Sequence, residues 1–326
     1  MPSNQLRGAL VCGYLVAACS GTSVSADASH DVVSDVAATD SGAHTDSGMP
    51  DSTVFDTGLS DVPLGDVPGD VPPVSPCGSA LFCEPFDSYA AMTLTNGQHF
   101  GPWRAALQTP GSTMVLDGIH TVSGPRALHV HIDDMATAGG RLFSNGTLPI
   151  LAGNPTHIYG RMMMYIEPNG SSVHWTFFGV SGPAVAGTPV AGRTATYLIS
   201  SLPRSNVNTY SFVDGLAAAG TDPYHDCWDQ GMTPMPSAQW TCVSFDMDSV
   251  ARRMRLSIDN GASPIVSVDD HGQGCVGTVP GTSPWYGPAI NQFYAGAWSF
   301  HPMVGALDVW VDDLVLDTSP VSCPTH

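Results

Sequence analysis

The sequence has 326 residues, of which 43% are apolar, enough to bury the core of one large domain or of two ordinary ones. It contains 29 acidic residues against 10 basic ones, for a formal net charge of −19, and every basic residue is an arginine. So acidic a chain lacks the basic footprint that nucleic-acid phosphates require. Because lysine is absent, a lysine Schiff base or general base is also excluded.

Residues 1–19 have the organisation of a signal peptide. Arg7 is followed by an apolar run that is too short to span a bilayer comfortably as a mature helix, and then by small residues. The segment VAAC at residues 16–19 resembles the lipobox of bacterial lipoprotein signal peptides, which implies cleavage before Cys19 and lipidation of that cysteine. We therefore predict an exported protein, anchored by lipid to the cell envelope at the outer membrane or cell surface. An ordinary secretory signal with an incidental cysteine is the alternative.

Residues 20–76 are predicted to be a disordered tether. They contain ten aspartates and no lysine, arginine or glutamate, on a background of small residues, valine and proline. Such a segment buries too little apolar surface to offset its chain entropy, and the like charges extend it. Calcium binding by the repeated aspartates is an alternative, but their spacing does not fit an EF-hand.

Six cysteines remain once Cys12 and Cys19 are set aside. An even number in an exported chain predicts three disulfides, whereas zinc binding lacks a supporting Cys-x-x-Cys spacing. We favour a bond between Cys227 and Cys242, because they bracket a short loop before a strand, and leave the other pairings open. The six cysteines are Cys77, Cys83, Cys227, Cys242, Cys275 and Cys323.

From residue 77 to 323 the sequence predicts one all-β domain. Short runs rich in β-branched and aromatic residues alternate with Gly, Pro and Asn, about a dozen times, without a convincing long helix. This pattern favours an antiparallel β-sandwich or jelly roll. In HIYGRMMMYI at 157–166, alternation places Ile158, Met162 and Met164 on a core face and the intervening residues on the other.

Several short motifs occur in an order that resembles the concanavalin A-like lectin/glucanase jelly rolls. More narrowly, they resemble the polysaccharide-lyase-like family of the fungal cellulose-induced protein and the glucuronan lyases. The resemblance implies a polysaccharide partner. It also implies a structural Ca²⁺ ion held by Glu84, Ser123 and Asp312, where the first and last strands meet. The motifs are CEPFDSY, SGPRALHV, YGRMMMYI, HWTFFG, WTCVSFDMD and VWVDDLVLD.

The residue types favour a lyase over a glycosidase. Glutamate occurs only at Glu84 and Glu167, so the carboxylate cluster of the jelly-roll glycosidases is missing. A β-elimination lyase instead needs a cation beside the uronate carboxylate and a base for the acidic proton. We predict that Arg161 neutralises the carboxylate, and that Tyr159, His157 or His174 exchanges the proton. If the strands of His174 and Arg161 are neighbours, as consecutive strands often are, His174 lies near Arg161.

Aromatic residues near the carboxyl end provide a possible binding surface. Trp285, Tyr294 and Trp298 lie in a Gly- and Pro-rich stretch and are predicted to stack on sugar rings, although core packing is an alternative. The leading function is therefore modification or binding of polysaccharide at the cell surface, with a uronate lyase as its most concrete form. A non-catalytic lectin-like lipoprotein and an adhesive surface protein are the alternatives.

Overall fold

The computed structural model describes residues 77–144, 147–168, 173–201, 206–214, 226–275 and 284–324. The predicted signal peptide, the lipidation site Cys19 and the aspartate-rich tether lie outside these residues. Within them, no helix is long and apolar enough to cross a membrane.

The described residues are organised as β-strands, with one short 3-10 helix at Pro149–Leu151. Most of the strands were anticipated from the sequence, and the segments HIYGRMMMYI and WTCVSFDMD each form one strand with the expected bounds. The strands are β1 (Phe82–Glu84), β2 (Met92–Thr93), β3 (His99–Phe100), β4 (Trp103–Leu107), β5 (Ser112–Asp117), β6 (Ala127–Ile132), β7 (Ala138–Ser144), β8 (His157–Ile166), β9 (Trp175–Pro183), β10 (Thr194–Ser201), β11 (Asn206–Val213), β12 (Asp226–Pro234), β13 (Trp240–Asp248), β14 (Arg253–Ile258), β15 (Val266–Asp269), β16 (Gly274–Cys275), β17 (Gln292–Ser299) and β18 (Leu307–Asp317).

The strands form two antiparallel sheets that pack as a sandwich, which confirms the predicted fold class. Sheet A has the order β15-β14-β13-β8-β18-β6-β5-β2, with β1 also paired to β18. Sheet B has the order β16-β12-β11-β10-β9-β17-β7-β4-β3. Neighbours in a sheet are often distant in sequence, as in β8 with β18 and β9 with β17, so the pairing is largely non-local.

Alternation along each strand divides its side chains between a shared core and an outer surface. In β8, Ile158, Met162 and Met164 are buried in the core, as predicted. From sheet B, large side chains such as Trp103 and Trp175 fill the space between the sheets and are fully buried. At about 25 cal/mol per Å² of buried apolar surface, this common core is the main source of stability.

All six predicted cysteines form disulfides, but the pairing predicted between Cys227 and Cys242 is wrong. Cys227 on β12 bonds to Cys275, which lies directly opposite it on β16 of sheet B. Cys242 belongs to β13 of sheet A and bonds to Cys323 beyond β18. The short spacing in sequence was misleading because the chain changes sheets between the two cysteines.

The third disulfide joins Cys77 to Cys83 at the start of the domain. Three disulfides are typical of proteins that fold in an oxidising, extracytoplasmic compartment.

Removing the disulfide between Cys242 and Cys323 is expected to destabilise the domain more than removing the one between Cys77 and Cys83. The first spans 81 residues and the second spans six. Chain entropy therefore predicts losses in unfolding free energy of about 4.5 and about 2 kcal/mol, respectively. Urea denaturation of the two double-alanine variants measures both losses. Equal losses, or a larger loss for the shorter loop, would contradict the expectation.

Candidate functional site

A pocket of about 460 Å³ opens on the outer face of sheet B. Its residues come from five strands, β7, β9, β10, β11 and β17, together with Asp226 at the start of β12 and the segment that follows β17. The volume lies within the range of about 300–1,000 Å³ typical of small-molecule sites. The pocket is thus built on rigid sheet, with one wall contributed by Phe300 and His301.

A row of four residues in cross-strand register passes through the pocket. Tyr294 on β17 is opposite Gly179 on β9, which is opposite Leu198 on β10, which is opposite Tyr210 on β11. A Cβ atom at position 179 would lie 2.4 Å from the Tyr294 ring and 2.8 Å from the Leu198 side chain. Glycine at this position therefore allows the two neighbouring side chains to close over the strand.

The cation of the pocket is Arg141 on β7, which is surrounded by aromatic rings. Its guanidinium carbon lies 3.9 Å from the ring centroid of Trp298, 5.0 Å from that of Tyr294 and 5.1 Å from that of Phe143. Burial lowers the pKa of Arg141 from its ordinary value, and the neighbouring Tyr294 acts in the opposite direction. Arginine remains protonated in this setting, so the pocket holds a partly desolvated positive charge. Its Nε atom is buried and has no hydrogen-bond partner among the described residues.

Histidines and a phenol lie on another side of the pocket. The ring of His174, just before β9, stacks on Tyr210 at 5.8 Å and meets His301 edge-on at 5.0 Å between centroids. Burial, and secondarily the neighbouring His301, lower the pKa of His174 below its ordinary value. Burial raises the pKa of Tyr210. At neutral pH the pocket therefore offers a neutral imidazole beside a protonated phenol, a combination suited to proton exchange.

Only one of the four predicted catalytic residues lies in this pocket. His174 lines it, whereas His157, Tyr159 and Arg161 project from the outer face of sheet A. The strands of His174 and Arg161 are not neighbours, so the condition that would bring the two side chains together is not met. β8 pairs with β13 and β18, and β9 pairs with β10 and β17. Because the outer faces of a sandwich point in opposite directions, the four side chains do not converge.

The three predicted catalytic residues on sheet A contact aspartates or a neighbouring ring. Arg161 is 5% exposed and faces the carboxylate of Asp313. His157 places Nε2 2.7 Å from the Oδ1 atom of Asp246, which also pairs with Arg253. Tyr159 lies against His157, with 4.5 Å between the ring centroids. Arg161 and His157 thus face aspartates, and Tyr159 contacts the neighbouring ring of His157.

The three residues predicted to stack on sugar rings occupy different positions in the structure. Trp285 is fully buried in the core and cannot act as a binding platform, so its prediction is wrong. Tyr294 lines the pocket, and its hydroxyl donates a hydrogen bond of 2.9 Å to Thr176 Oγ1. Trp298 lies beside the pocket, half-buried, and stacks on Arg141.

The predicted calcium ligand Glu84 points into the core. It lies opposite Leu314 of β18, and one of its carboxylate oxygens accepts hydrogen bonds of 2.8 Å from Trp103 Nε1 and 3.0 Å from the Tyr89 hydroxyl. The other oxygen accepts a bond from the backbone N–H of Phe86 at 2.9 Å. Both oxygens of this carboxylate are thus already held by donors.

The other two predicted ligands lie on the outer face of sheet A. Asp312 accepts backbone N–H bonds from Val122 at 2.9 Å and from Asp313 at 2.8 Å, and the Ser123 hydroxyl donates to Asp313 at 2.6 Å. Glu84 and Asp312 lie on opposite faces of one sheet, so the predicted set does not fit a single calcium ion. In the part of the chain that the structure describes, no group of three or more His, Cys, Asp or Glu residues is arranged to hold a metal.

Sequence reasoning missed Arg141, Tyr210 and His301, which give the pocket most of its chemistry. Arg141 lies in the segment AGGRLFS, whose two glycines obscured β7 as a strand. Alternation around Arg141 and Phe143, with Leu142 buried between them, is the signal that would have placed both on an outer face.

Among solved structures, the chain is similar to the cellulose induced protein Cip1, with a TM-score of 0.47 and 15% identity over 74% of this chain and 100% of that chain. It is also similar to the binding domain of botulinum neurotoxin DC in complex with SialylT, with a TM-score of 0.39 and 8% identity, over 68% of this chain and 43% of that one. A sialidase has a TM-score of 0.36 and 8% identity, over 67% of this chain and 17% of that one. No protein-family model matches the sequence, and no curated protein matches it significantly. At these levels the similarity concerns the fold alone.

Gly179→Ala is expected to destabilise the domain by about 1–3 kcal/mol, because the added methyl group overpacks the contact between Tyr294 and Leu198. Ser181→Ala, on the same strand and the same pocket face, removes atoms without adding any and should change stability by less than about 0.5 kcal/mol. Urea denaturation compares the two variants. A Gly179→Ala protein as stable as the wild type would show that Gly179 is not required by packing.

Proposed function

We propose that the pocket on the outer face of sheet B binds an acidic saccharide unit of a polysaccharide. The observation that carries this proposal is the position of Arg141, a partly desolvated guanidinium in a pocket lined mainly by aromatic, hydroxyl and imidazole side chains, with Asp226 as the one carboxylate among the described residues of the lining. A planar guanidinium suits bidentate binding of a carboxylate. The surrounding aromatic faces suit the apolar face of a sugar ring.

An acidic ligand would be attracted by the charge of Arg141 within the pocket, and not by the net charge of the chain. The chain carries a formal charge of −19, so a polyanion is repelled at long range. Within the pocket, burial reduces the screening of Arg141 by solvent, and a carboxylate placed beside it forms a stronger pair than on the surface. Selectivity for acidic sugars therefore depends on this one side chain.

Arg141→Gln is expected to weaken binding of glucuronan or alginate oligosaccharides by about ten- to a hundred-fold, the range for a lost hydrogen bond to a charged group. Arg104→Gln is the matched control, because Arg104 lies over the same Phe143 ring at 5.3 Å but outside the pocket. Isothermal titration of both variants and of the wild type measures the change, with a neutral β-glucan as reference ligand. Equal losses for the two arginines, or unchanged binding by Arg141→Gln, would overturn the proposal.

A second candidate is a β-elimination lyase at the same pocket, favoured by the neutral His174 beside Tyr210. His174 would remove the C5 proton of a uronate whose carboxylate is paired with Arg141. The electron pair would form the C4–C5 double bond as the C4–O glycosidic bond breaks, and the Tyr210 hydroxyl would protonate the leaving oxygen. The step needs no oxidant, reductant or other co-reactant.

His174→Gln is expected to abolish formation of the unsaturated uronate product while leaving oligosaccharide binding within about three-fold of wild type. Because the pKa of His174 is lowered, wild-type turnover should be lost only as pH falls below the ordinary histidine range, where the base becomes protonated. The absorbance of the unsaturated product measures both the activity of His174→Gln and the pH dependence of wild-type turnover. Retained binding without product from any polyuronate would leave the lectin-like function in place of the lyase.

We further propose that the domain acts at the cell surface as a lipoprotein. The lipobox-like segment ending at Cys19 and the aspartate-rich residues 20–76 support this proposal from sequence, and the three disulfides are consistent with export.

A further inference from the structure

The outer face of sheet A carries a ladder of alternating carboxylates and imidazoles. His129 and His131 project from β6, and Asp308 of β18 lies between them, with its Oδ1 atom 2.9 Å from His129 Nε2 and 2.8 Å from His131 Nδ1. The remaining ring nitrogens face Asp117 at 3.0 Å and Asp133 at 2.9 Å. The ladder therefore links β5, β6, β18 and the turn that follows β6.

The contacts between the two histidines and the three aspartates depend on protonation of the imidazole rings. All four ring nitrogens of the two histidines face carboxylate oxygens, and all four contacts are hydrogen bonds only when both rings are doubly protonated. A neutral ring turns one lone pair toward a carboxylate, so that each deprotonation loses one contact. Asp133 is 61% exposed and Asp308 is 19% exposed, so water replaces the contact to Asp133 at least cost.

The titration of His131 follows from these neighbours. Burial of the ring lowers its pKa, but the hydrogen bonds with Asp133 and Asp308 outweigh burial and raise the pKa above the ordinary value. Burial likewise acts to raise the pKa of Asp308, and the bonds from both histidines outweigh it and lower that pKa. The contacts of His131 are therefore intact below the ordinary histidine pKa, down to the acidic pH at which Asp308 is protonated. They are lost as pH rises through the raised pKa of His131.

Other ionisable groups near the ladder belong to the elements packed around it. Asp134 follows Asp133 in the turn. His120, from the connection after β5, packs edge-on against Trp310, which stacks on His129, and His120 pairs with Glu167 beyond β8. None of these three groups replaces Asp308 or Asp133 as a hydrogen-bond partner of His131.

The turn at residues 133–137, which follows the ladder, is hydrogen-bonded to the segment that carries Phe300 and His301 of the pocket wall. Residues 133–137 connect β6 of sheet A to β7 of sheet B, and residues 300–306 connect β17 of sheet B back to β18 of sheet A. The two crossovers are joined by backbone bonds from Met135 N–H to the Met303 carbonyl and from Met303 N–H to the Ala136 carbonyl. Asp134 also accepts a bond of 2.8 Å from the Gly305 N–H. Phe300 and His301, at the sheet B end of the second crossover, line the pocket.

We propose that the ladder is a proton-dependent latch on the pocket wall. While His131 is protonated it holds Asp133, the turn holds the crossover at residues 300–306, and Phe300 and His301 are fixed against the pocket. Loss of the proton removes this side-chain contact, which leaves the turn held by its other hydrogen bonds alone and loosens the wall. The latch thus couples the pH on one face of the sandwich to a binding site on the other, through two adjacent crossovers.

Hydrogen exchange followed by mass spectrometry tests the latch without any saccharide. In the wild type, the protection factors of peptides covering residues 133–136 and 300–305, corrected for intrinsic exchange, should fall at least about three-fold between mildly acidic and mildly alkaline pH. In His131→Ala they should already be low in acid and should no longer vary with pH. His157→Ala is the matched control, since His157 also lies between two aspartates on sheet A and its side chain is 31% exposed against 29% for His131.

Asp133→Ala provides a second variant that removes the acceptor of the same contact at an exposed position, where misfolding is not expected. It should loosen both segments in acid to the extent seen with His131→Ala. Wild-type protection that does not depend on pH, or a His157→Ala protein that loses the dependence as fully as His131→Ala, would overturn the latch. Because exchange is measured without ligand, this result is separate from success or failure of saccharide binding.

Discussion

Two sheets that share one core impose a strict division on the side chains of every strand. A residue that does not face the core faces one of two surfaces, and these surfaces point away from each other. The position of the site follows from this constraint. Arg141 and Tyr294 share a surface because β7 and β17 are hydrogen-bonded neighbours in sheet B. Arg161 is excluded from that surface because β8 belongs to sheet A.

Local features of the fold were largely predictable from the sequence. Alternation in HIYGRMMMYI predicted the inner face of β8, and this segment and WTCVSFDMD matched the bounds of β8 and β13, because both strands are long and rich in apolar residues. β7 was missed because Gly139 and Gly140 weaken the apolar pattern just where the strand carries Arg141. The residue that gives the pocket its charge therefore lay in the segment with the weakest strand signal.

Pairing between strands was not predictable, since it depends on contacts between residues far apart in the chain. The same limit explains the errors in the disulfides and in the catalytic set. In both, residues close in sequence were expected to be close in space, yet a sheet change separated Cys227 from Cys242 and β8 from β9. Alternation also could not tell the buried Trp285 from Trp298, because each lies in an aromatic and Gly-rich stretch.

The disulfide between Cys77 and Cys83 determines where tension on the preceding chain would enter the domain. Tension on the chain before Cys77 passes directly through the sulfur bridge to Cys83, the central residue of β1, and bypasses the five residues between them. β1 is three residues long and pairs with β18 from Phe82 to Glu84. Such force would therefore enter this ladder at its middle residue and not at one end. The bridge thus makes the centre of a three-residue strand the point at which pulling on the preceding chain would act.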